Sequence, residues 1–305
     1  MGVLVVGSFI VDCIARCDRA PEAGETVVGN SFHTYLGGKG ANQAFASIRM
    51  GSPTIMAGAV GKDNFGYEFI KTMKDEGFDT RFVKMVDNST GTSLVTVEES
   101  GQNRICMTPG ANLDYSLEDL KELEGVIKES NVIVTQLEMR YEIAKELSKF
   151  AKKHGKKFIL NPAPAREIDD DLLKNVYLIT PNETELGIIV HKKLVSLEDY
   201  IDGAKELLKK GVKNVIVTLG TIGSLLVNNE GHQLVKAYKV KAIDTVGAGD
   251  SYTGSLASQL DQGKTILEAI EIATAVAALE VQKNGAIPAM PHKDEVEIFI
   301  KNNAR

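Results

Sequence analysis

The sequence predicts an α/β fold with a mostly parallel central sheet, helices on both faces of that sheet, and a small β-sheet lid. Short runs rich in β-branched residues alternate with amphipathic helical stretches along most of the chain. Parallel strands that are joined by helices form a sheet covered on both faces. Two stretches interrupt the alternation, and they predict the lid.

The alternation starts with a strand at 3–7, a helix at 40–50, a strand at 54–60 and a helix at 64–76. In the second half, the predicted strands are 132–136, 157–161, 177–180 and 214–219, and the predicted helices are 142–153, 197–210, 251–260 and 266–283. Ligands of open α/β sheets bind beyond the carboxyl ends of the strands. The loops that follow the strands are therefore where a site is expected.

The two interruptions are residues 10–36 and 90–108. Within the second, residues 93–98 and 104–108 alternate like the strands of a hairpin, with Ser100 and Gly101 at its turn. The chain shows no tandem repeat and no flexible linker. We therefore expect one domain over 1–305, with both interruptions inserted into it as a lid.

Charge and hydropathy exclude several partners. The net charge is −6 and the lysines are scattered among glutamates, which disfavours binding to a nucleic-acid backbone. The longest apolar runs, such as 3–6 and 215–219, are far shorter than the roughly 20 residues of a membrane-spanning helix. The N-terminus has no basic segment ahead of an apolar stretch. We expect a cytoplasmic protein that binds neither nucleic acid nor membranes.

The loop at 244–250 reads Asp-Thr-Val-Gly-Ala-Gly-Asp and leads into a predicted helix. Small residues let a ligand approach the backbone, and N–H groups at a helix N-terminus attract anions. Gly247, Ala248 and Gly249 are therefore candidates for cradling a phosphoryl group. Beside them, the Asp250 carboxylate would accept the proton of a hydroxyl as phosphorus arrives. The alternative is that Asp250 only caps the helix after a glycine turn.

A second glycine-rich segment, at 37–43, reads Gly-Gly-Lys-Gly-Ala-Asn-Gln and precedes an Ala-rich helix. It is not a P-loop, because Gly40 stands directly after Gly38-Lys39, where that motif needs Ser or Thr. Lys39 and Asn42 are candidates for binding the hydroxyl groups of a sugar. The alternative is a glycine-rich helix start that binds no ligand.

Two further strand ends carry polar clusters. In the first, Asn182 and Glu185 are candidates for meeting phosphate-bound Mg²⁺ through its waters, although both residue types also suit a turn and a helix cap. The second, a Thr-Gly loop at 218–223, would line a nucleotide. Near the N-terminus, Gly7 lacks the Gly-x-Gly-x-x-Gly pattern of a dinucleotide site, which disfavours a dehydrogenase.

Four segments taken together resemble the ribokinase family of carbohydrate kinases, with ribokinases and deoxyribokinases as the nearest branches. They are Gly-Gly-Lys-Gly-Ala-Asn-Gln at 37–43, Asn-Pro-Ala-Pro-Ala at 161–165, Asn-Glu-Thr-Glu at 182–185 and Asp-Thr-Val-Gly-Ala-Gly-Asp at 244–250. The resemblance runs nearly end to end and includes both signatures of the family. It implies a β-sheet lid that also forms a dimer interface, and transfer of a phosphoryl group from MgATP to a sugar CH₂OH.

The resemblance also implies roles for single residues. Asp250 would be the catalytic base, within an anion hole formed by 247–250. The implied sugar-binding residues are Asp12, Gly38, Lys39, Asn42, Glu138 and Asp250. The implied nucleotide-binding residues are Asn182, Thr218, Gly220, Gly223, Gly249 and Thr274, the last at a position where ribokinases usually carry Asn.

An activating monovalent cation, K⁺, is a further implied cofactor. Its implied ligands are the Asp244 side chain and the main-chain carbonyls of Val246, Glu280, Lys283 and Gly285. Ala289 replaces a serine that would add a hydroxyl ligand, so the implied site has one ligand fewer than in the family.

Ile10 departs from the family, because ribokinases carry Asn two residues before the sugar-binding Asp. An apolar side chain gives a ribose hydroxyl no hydrogen bond, and a desolvated unpaired hydroxyl costs on the order of 1 to 3 kcal/mol. Family members that act on 2-deoxyribose resemble this sequence in carrying an apolar residue at that position. We hypothesise that 2-deoxy-D-ribose is accepted at least as well as D-ribose. The alternative is that Ile10 only packs under the lid while Asp12, Lys39 and Asn42 still hold ribose.

Two other functions stay open at this point. The chain would belong to another branch of the family, acting on fructose, a ketodeoxy sugar acid or a nucleoside, or it would be a catalytically silent sensor of sugar or nucleotide. The set of Asp12, Glu138 and the 37–43 segment resembles ribokinase more closely than those other branches. Asp250 and its glycines disfavour the sensor, because a silent relative has no need of the base.

Overall fold

Strands and helices alternate along the chain, which a computed structural model describes over residues 2–303. The strands are β1 (Val3–Val6), β2 (Ile10–Cys17), β3 (Ser31–Gly37), β4 (Thr54–Gly61), β5 (Val83–Val86), β6 (Gly91–Glu98), β7 (Asn103–Thr108), β8 (Val132–Thr135), β9 (Lys157–Leu160), β10 (Leu178–Ile179), β11 (Asn214–Thr218), β12 (Gly223–Asn228) and β13 (Gly231–Lys236). The helices are α1 (Lys39–Arg49), α2 (Asn64–Asp75), α3 (Leu117–Glu122), α4 (Glu124–Glu129), α5 (Tyr141–Lys153), α6 (Asp170–Leu173), α7 (Glu183–Ile189), α8 (Leu197–Lys209), α9 (Ala248–Asp261), α10 (Ile266–Glu280) and α11 (Lys293–Asn302).

The central sheet has nine strands in the order β13-β12-β11-β10-β9-β8-β1-β4-β5. All neighbours from β5 to β11 pair in parallel, whereas β12 and β13 form an antiparallel edge. The predicted fold class is therefore confirmed. The hairpin of β12 and β13 was not predicted, and it lengthens the sheet beyond the last parallel strand.

A second sheet has the order β3-β2-β6-β7, and we call it the lid sheet. Strands β2 and β3 pair antiparallel, as do β6 and β7, while β2 and β6 run parallel. The hairpin predicted in the second interruption is present, with Ser93 opposite Met107. The movement of the lid sheet as a lid stays a prediction. The expectation of one domain over residues 1–305 also stays a prediction.

Two apolar layers cover the two faces of the central sheet. Along β1, Leu4 and Val6 pack into one hydrophobic cluster, and Val3 and Val5 pack into the other. Successive side chains of a strand point to opposite faces, so this strand is buried on both sides, as a central parallel strand must be. The rigid sheet holds the loops at its carboxyl edge in fixed positions.

No helix within residues 2–303 combines the length and the apolar character needed to cross a bilayer. The cytoplasmic location stays a prediction.

Candidate active site

Asp250 lies in the first turn of α9, which begins directly after Gly247. Gly247 has φ 88°, and a Cβ there would lie 2.7 Å from Glu280 Oε1 and 2.8 Å from Ala286 Cβ, so packing requires glycine. At Gly249, by contrast, a Cβ would meet nothing within 4 Å. The helix N-terminus therefore faces open space at Gly249, where a ligand can approach the backbone.

The Asp250 carboxylate does not cap its own helix. It is 7% exposed, its Oδ2 accepts a hydrogen bond from Asn42 Nδ2 at 2.9 Å, and its Oδ1 accepts one from Gln43 Nε2 at 3.1 Å. Both donors belong to the first turns of α1, which begins at Lys39 within the glycine-rich segment at 37–43. The capping alternative for Asp250 is therefore wrong, and the carboxylate is held between two helices.

The backbone N–H groups at the start of α9 differ in whether they already donate a hydrogen bond. The Asp250 N–H donates to the Gly247 carbonyl at 2.8 Å, and the Ala248 N–H makes a long 3.4 Å bond to the Thr245 carbonyl. Within residues 2–303, the Gly249 N–H has no acceptor. Because a helix N-terminus attracts negative charge, Gly249 is the amide best placed to receive an anion.

Lys39 stands among four carboxyl groups. The negative charge of Asp250 raises the pKa of Lys39, and Glu138, Glu185 and Asp12 add to the same effect against the opposing effect of burial. Glu138 is fixed by the Lys39 N–H at 2.9 Å and by the Ser8 hydroxyl, and its burial raises its pKa. One cation among four acidic groups leaves the centre suited to further positive charge.

Asp12 reaches this centre from the lid sheet. Burial raises its pKa, and the Ser93 hydroxyl partly offsets that effect. A Cβ at Gly37 would lie 3.4 Å from Asp12 Oδ2 and 3.6 Å from Asn42 Oδ1, so these two oxygens converge. Asn42 Oδ1 is buried, and no residue within 2–303 gives it a hydrogen-bond partner. Two acceptors aimed at one small space suit the hydroxyl groups of a sugar.

Ile10 is 5% exposed and stands two residues before Asp12 on β2, so both side chains lie on the same face of the strand. Gly38, with φ 87°, passes beneath Ile10, because a Cβ there would lie 2.6 Å from the Ile10 amide nitrogen. The glycine at 38 is therefore needed for the chain to pass under the lid sheet.

Asn182 and Glu185 form a reciprocal cap at the start of α7. Asn182 Oδ1 accepts from the Glu185 N–H at 2.8 Å, and Glu185 Oε2 accepts from the Asn182 N–H at 2.9 Å. Burial raises the pKa of Glu185, while the Lys39 charge acts in the opposite direction. The structure therefore confirms that Asn182 and Glu185 cap the helix. Because the charges of Lys39 and Asp250 also act on Glu185, this residue belongs to the acidic centre as well.

The remaining candidate nucleotide residues have different surroundings. Asn182 forms a parallel bridge with Thr218 across the sheet edge. Gly220 has φ 52° and open space at its Cα, whereas a Cβ at Gly223 would lie 2.0 Å from the Val235 carbonyl oxygen, so Gly223 serves the β12–β13 pairing. Thr274 donates its hydroxyl to the Ile270 carbonyl at 2.7 Å within α10.

Asp244 ties together the two loops that carry the candidate cation ligands. Its Oδ1 accepts from the Val246 N–H and its Oδ2 from the Gly285 N–H, each at 3.0 Å. The Lys283 side chain is turned to Glu295 at 3.2 Å, which leaves only its main chain for the site. Ala289 is fully buried and brings no hydroxyl.

The Glu280 side chain is buried beside these loops. It is 1% exposed; its Oε2 accepts from the Ser251 hydroxyl, and its Oε1 has no hydrogen-bond partner in the described part of the chain. Burial, reinforced by the charges of Asp250 and Asp244, raises its pKa to about 8. A carboxyl with an unpaired buried oxygen is costly, and a nearby cation would lower that cost.

Sequence reasoning assigned no role to four residues that support this site. Gln43, Gln136 and Asn161 form a buried set of amides behind Asp250, and Ser8 anchors Glu138. Gln136 and Asn161 each stand one position beyond a strand of the central sheet. A buried polar residue directly after an apolar strand was the available signal.

Known proteins that are similar to this chain agree with the geometry of the site. The family model of the pfkB family carbohydrate kinases matches residues 2–293. The chain is 38% identical to a ribokinase of Lactococcus lactis, over 98% of this chain and 97% of that one, and 34% identical to a deoxyribokinase of Salmonella typhimurium, over 99% and 100%. The structure of Arabidopsis thaliana ribokinase complexed with ribose and ATP superposes with a TM-score of 0.93 at 31% identity, covering 98% of each chain. The match of a carbohydrate-kinase model to nearly the whole chain, together with these full-length relatives, shows that the protein belongs to the pfkB family of carbohydrate kinases.

Proposed function

We propose that the protein is an ATP-dependent pentose kinase that transfers the γ-phosphoryl group of MgATP to the 5-hydroxyl of D-ribose or 2-deoxy-D-ribose. The observation that carries the proposal is the Asp250 carboxylate, held by Asn42 and Gln43 beside the unpaired Gly249 N–H. A base and an anion-binding amide side by side are what phosphoryl transfer to a hydroxyl needs. The full-length ribokinase and deoxyribokinase relatives support the choice of pentose.

The sugar would lie between the lid sheet and α1. Asp12 Oδ2 and Asn42 Oδ1 would accept hydrogen bonds from its hydroxyl groups, with Lys39 and Glu138 bordering the same space. The small Gly38 lets the backbone pass close to the ligand. These contacts would hold the 5-hydroxyl against the Asp250 carboxylate, so positioning supplies much of the rate enhancement.

In the chemical step, Asp250 accepts the proton of the 5-hydroxyl while the oxygen of that hydroxyl forms a bond to the γ-phosphorus. The bond from that phosphorus to the β,γ-bridging oxygen breaks, and ADP leaves with the released electron pair. The Gly249 and Ala248 amides at the start of α9 offset the charge that gathers on the transferred group. The amide of Asp250 contributes less, since it already donates to Gly247.

ATP would lie along the edge formed by Asn182, Thr218, Gly220 and Gly223, with Thr274 at its far side. Mg²⁺ enters with the nucleotide, and Glu185, whose burial raises its pKa, would meet it through water. The carboxyl groups around Lys39 support this role of Glu185, because their negative charge favours the binding of MgATP over the binding of ATP without its cation.

The loop residues also fit a monovalent cation, K⁺, that would add positive charge next to the anion hole. Asp244 supplies one carboxylate between the two loops, and the main-chain carbonyls of Val246, Glu280, Lys283 and Gly285 complete the set. The buried, unpaired Glu280 Oε1 supports the fit, while Ala289 removes a hydroxyl. We expect turnover to rise when tetramethylammonium chloride is replaced by KCl at equal ionic strength. A rate that is equal in both salts would remove K⁺ from the proposal.

We also propose that two copies associate through the lid sheet. Two exposed apolar side chains lie on the face of the lid sheet opposite to Asp12: Phe32 is 62% exposed and Leu94 is 58% exposed. Exposed apolar side chains on one face of a sheet mark an interaction surface. We expect a dimer in sedimentation velocity, and a shift to monomer in Leu94→Lys but not in Val195→Lys, which changes an exposed valine outside the lid sheet. A monomeric parent protein would refute this.

The proposed activity is tested by ADP release with MgATP and KCl on D-ribose, 2-deoxy-D-ribose, D-fructose and a nucleoside. We expect kcat/KM for a pentose to exceed the other values by at least about tenfold. A higher value for fructose or the nucleoside would assign the chain to another branch of the family. Binding of sugar without turnover on any substrate would favour the sensing alternative.

Ile10 determines the expected preference between the two pentoses. Its buried apolar side chain, on the face of β2 that carries Asp12, leaves a hydroxyl without a partner. We expect Ile10→Asn to raise the ribose-to-deoxyribose ratio of kcat/KM about 5- to 100-fold, the equivalent of one hydrogen bond to a desolvated hydroxyl. The matched control is Ile14→Asn, on the same strand and face but four residues farther along, which should leave the ratio unchanged. A parent enzyme that prefers ribose and gains nothing from Ile10→Asn would contradict the assignment.

A further inference from the structure

Gln43 lies behind the Asp250 carboxylate and is fully buried. Its Nε2 donates to Asp250 Oδ1 at 3.1 Å and to Asn161 Oδ1 at 3.2 Å, and its Oε1 accepts from Gln136 Nε2 at 2.6 Å. All the hydrogen-bonding capacity of its NH₂ group is used by these two acceptors. Gln43 thus joins the carboxylate on α9 to residues at the edge of the central sheet.

The sheet fixes the direction of these hydrogen bonds. Asn161 Nδ2 donates to the main-chain carbonyl of Thr180 at 3.1 Å, and a carbonyl only accepts. Asn161 must therefore turn its Oδ1 towards Gln43, and Gln43 must turn its NH₂ towards Asn161 and Asp250. Gln136 donates to Gln43 Oε1 at 2.6 Å and so completes the pairing of this amide.

The anchoring residues stand one position beyond three adjacent strands. Gln136 follows β8, Asn161 follows β9 and Thr180 follows β10. Gly7 leaves room for this arrangement, because a Cβ there would lie 2.2 Å from Gln136 Oε1. The donor direction at Gln43 is thus set by the rigid carboxyl edge of the sheet.

Asn42, the other donor to Asp250, has a different character. Its buried Oδ1 lies beside Asp12 Oδ2 and has no hydrogen-bond partner within residues 2–303, so no protein donor holds that end of the amide. Both polar atoms of the Gln43 amide are paired with protein groups, and no orientation other than the observed one satisfies these neighbours. The two sides of the carboxylate are therefore held in different ways, one adjustable and one locked.

We propose that Gln43 is a positioning residue for Asp250, and that Gln136 and Asn161 lock its amide so that one carboxylate oxygen is held in place while the other faces the substrate hydroxyl. Gln43 does not touch the reacting atoms. Gln43 keeps the plane of the Asp250 carboxylate fixed. Its neutral N–H donor also stabilises the charge of that carboxylate in the buried interior. The inference rests on the role of Asp250 in the proposed function.

The test uses Gln43→Met, which keeps the side-chain length and removes the donors, and the isosteric Gln43→Glu, which replaces the donor by an acceptor. We expect kcat to fall about 10- to 100-fold in Gln43→Met, the loss of one hydrogen bond to a charged group. The KM values for sugar and ATP should stay within about threefold. Gln43→Glu should lower kcat further, because its carboxylate oxygen would face two acceptors, Asp250 Oδ1 and Asn161 Oδ1. Gln259→Met, a buried amide elsewhere on α9, is the matched control and should keep kcat.

A double-mutant cycle separates positioning from general support of the fold. If Gln43 acts through Asp250, adding Gln43→Met to Asp250→Asn produces almost no further loss of the residual rate. An additive loss, a kcat of Gln43→Met within twofold of the parent, or a rise in KM at constant kcat would each overturn the inference. Thermal unfolding of every variant is measured alongside, so a destabilised protein is recognised. Turnover retained by Asp250→Asn alone would refute the base of the proposed function, whereas a dead Asp250→Asn with an active Gln43→Met refutes only this inference.

Discussion

We expect Asp250→Asn to lower kcat about 10³-fold while sugar and nucleotide still bind. General-base catalysis by a positioned side chain contributes about 10² to 10⁴. The asparagine keeps the shape of the site. Its carbonyl oxygen can still accept from the locked Gln43 amide, and its NH₂ group can face Asn42, whose unpartnered Oδ1 allows that amide to turn. The loss should therefore fall on the proton transfer.

Rapid-quench turnover measures the chemical step, and titration calorimetry with ribose and with a non-hydrolysable ATP analogue measures binding. Both dissociation constants should stay within about tenfold of the parent values. Asp261→Asn, at the opposite end of α9, is the matched control and should turn over normally. A variant at position 250 that keeps more than about a tenth of kcat would remove Asp250 from the role of base.

The sequence predicted the fold well where one local pattern decided the structure. The strands at 3–7 and 132–136 are short β-branched runs, and the structure has them at Val3–Val6 and Val132–Thr135. It predicted α9 three residues too late, because Ala248 and Gly249 are typical of a loop and only the tertiary packing of Gly247 starts the helix there. The β12–β13 hairpin was missed for a similar reason, since β13 is largely exposed and lacks a strong apolar pattern.

The candidate site was predictable as a set of motifs but not as a set of contacts. Lys39, Asn42, Glu138 and Asp250 come from three distant segments, and the structure brings them together. The Gln43–Asp250 contact joins residues 207 positions apart, so no local spacing reveals it. The Asn182–Glu185 cap follows from a short local motif, and the structure confirms it. What local sequence lacks is the direction of each buried amide, which depends on its neighbours.

Glu280 gives the clearest expected effect on stability. Burial, with the charges of Asp250 and Asp244, raises its pKa from the usual 4.5 to about 8, so the folded protein holds its proton at neutral pH. The unfolded chain releases that proton above about pH 4.5. A raised carboxyl pKa contributes stability that is fully present below the unfolded pKa and is lost as pH rises through the folded pKa. The parent protein should therefore lose stability between about pH 4.5 and 8 through this one group.

Glu280→Gln removes that dependence, because glutamine is neutral at every pH in this range. Its carbonyl oxygen can still accept from the Ser251 hydroxyl, although its NH₂ group takes the place of the unpartnered Oε1 and finds no acceptor there. An unmet donor costs about 1 to 3 kcal/mol, against an electrostatic gain on the order of 4 kcal/mol at pH 8 and above. We expect the variant to be less stable than the parent near pH 5 and more stable by roughly 1 to 3 kcal/mol above pH 8. Urea unfolding in tetramethylammonium buffers measures the difference without a bound alkali cation, and Glu271→Gln, at another position of α10, is the control. Parallel stability curves for Glu280→Gln and the parent from pH 5 to 9 would show that Glu280 is ionised in the folded protein, and the electrostatic argument would then fail.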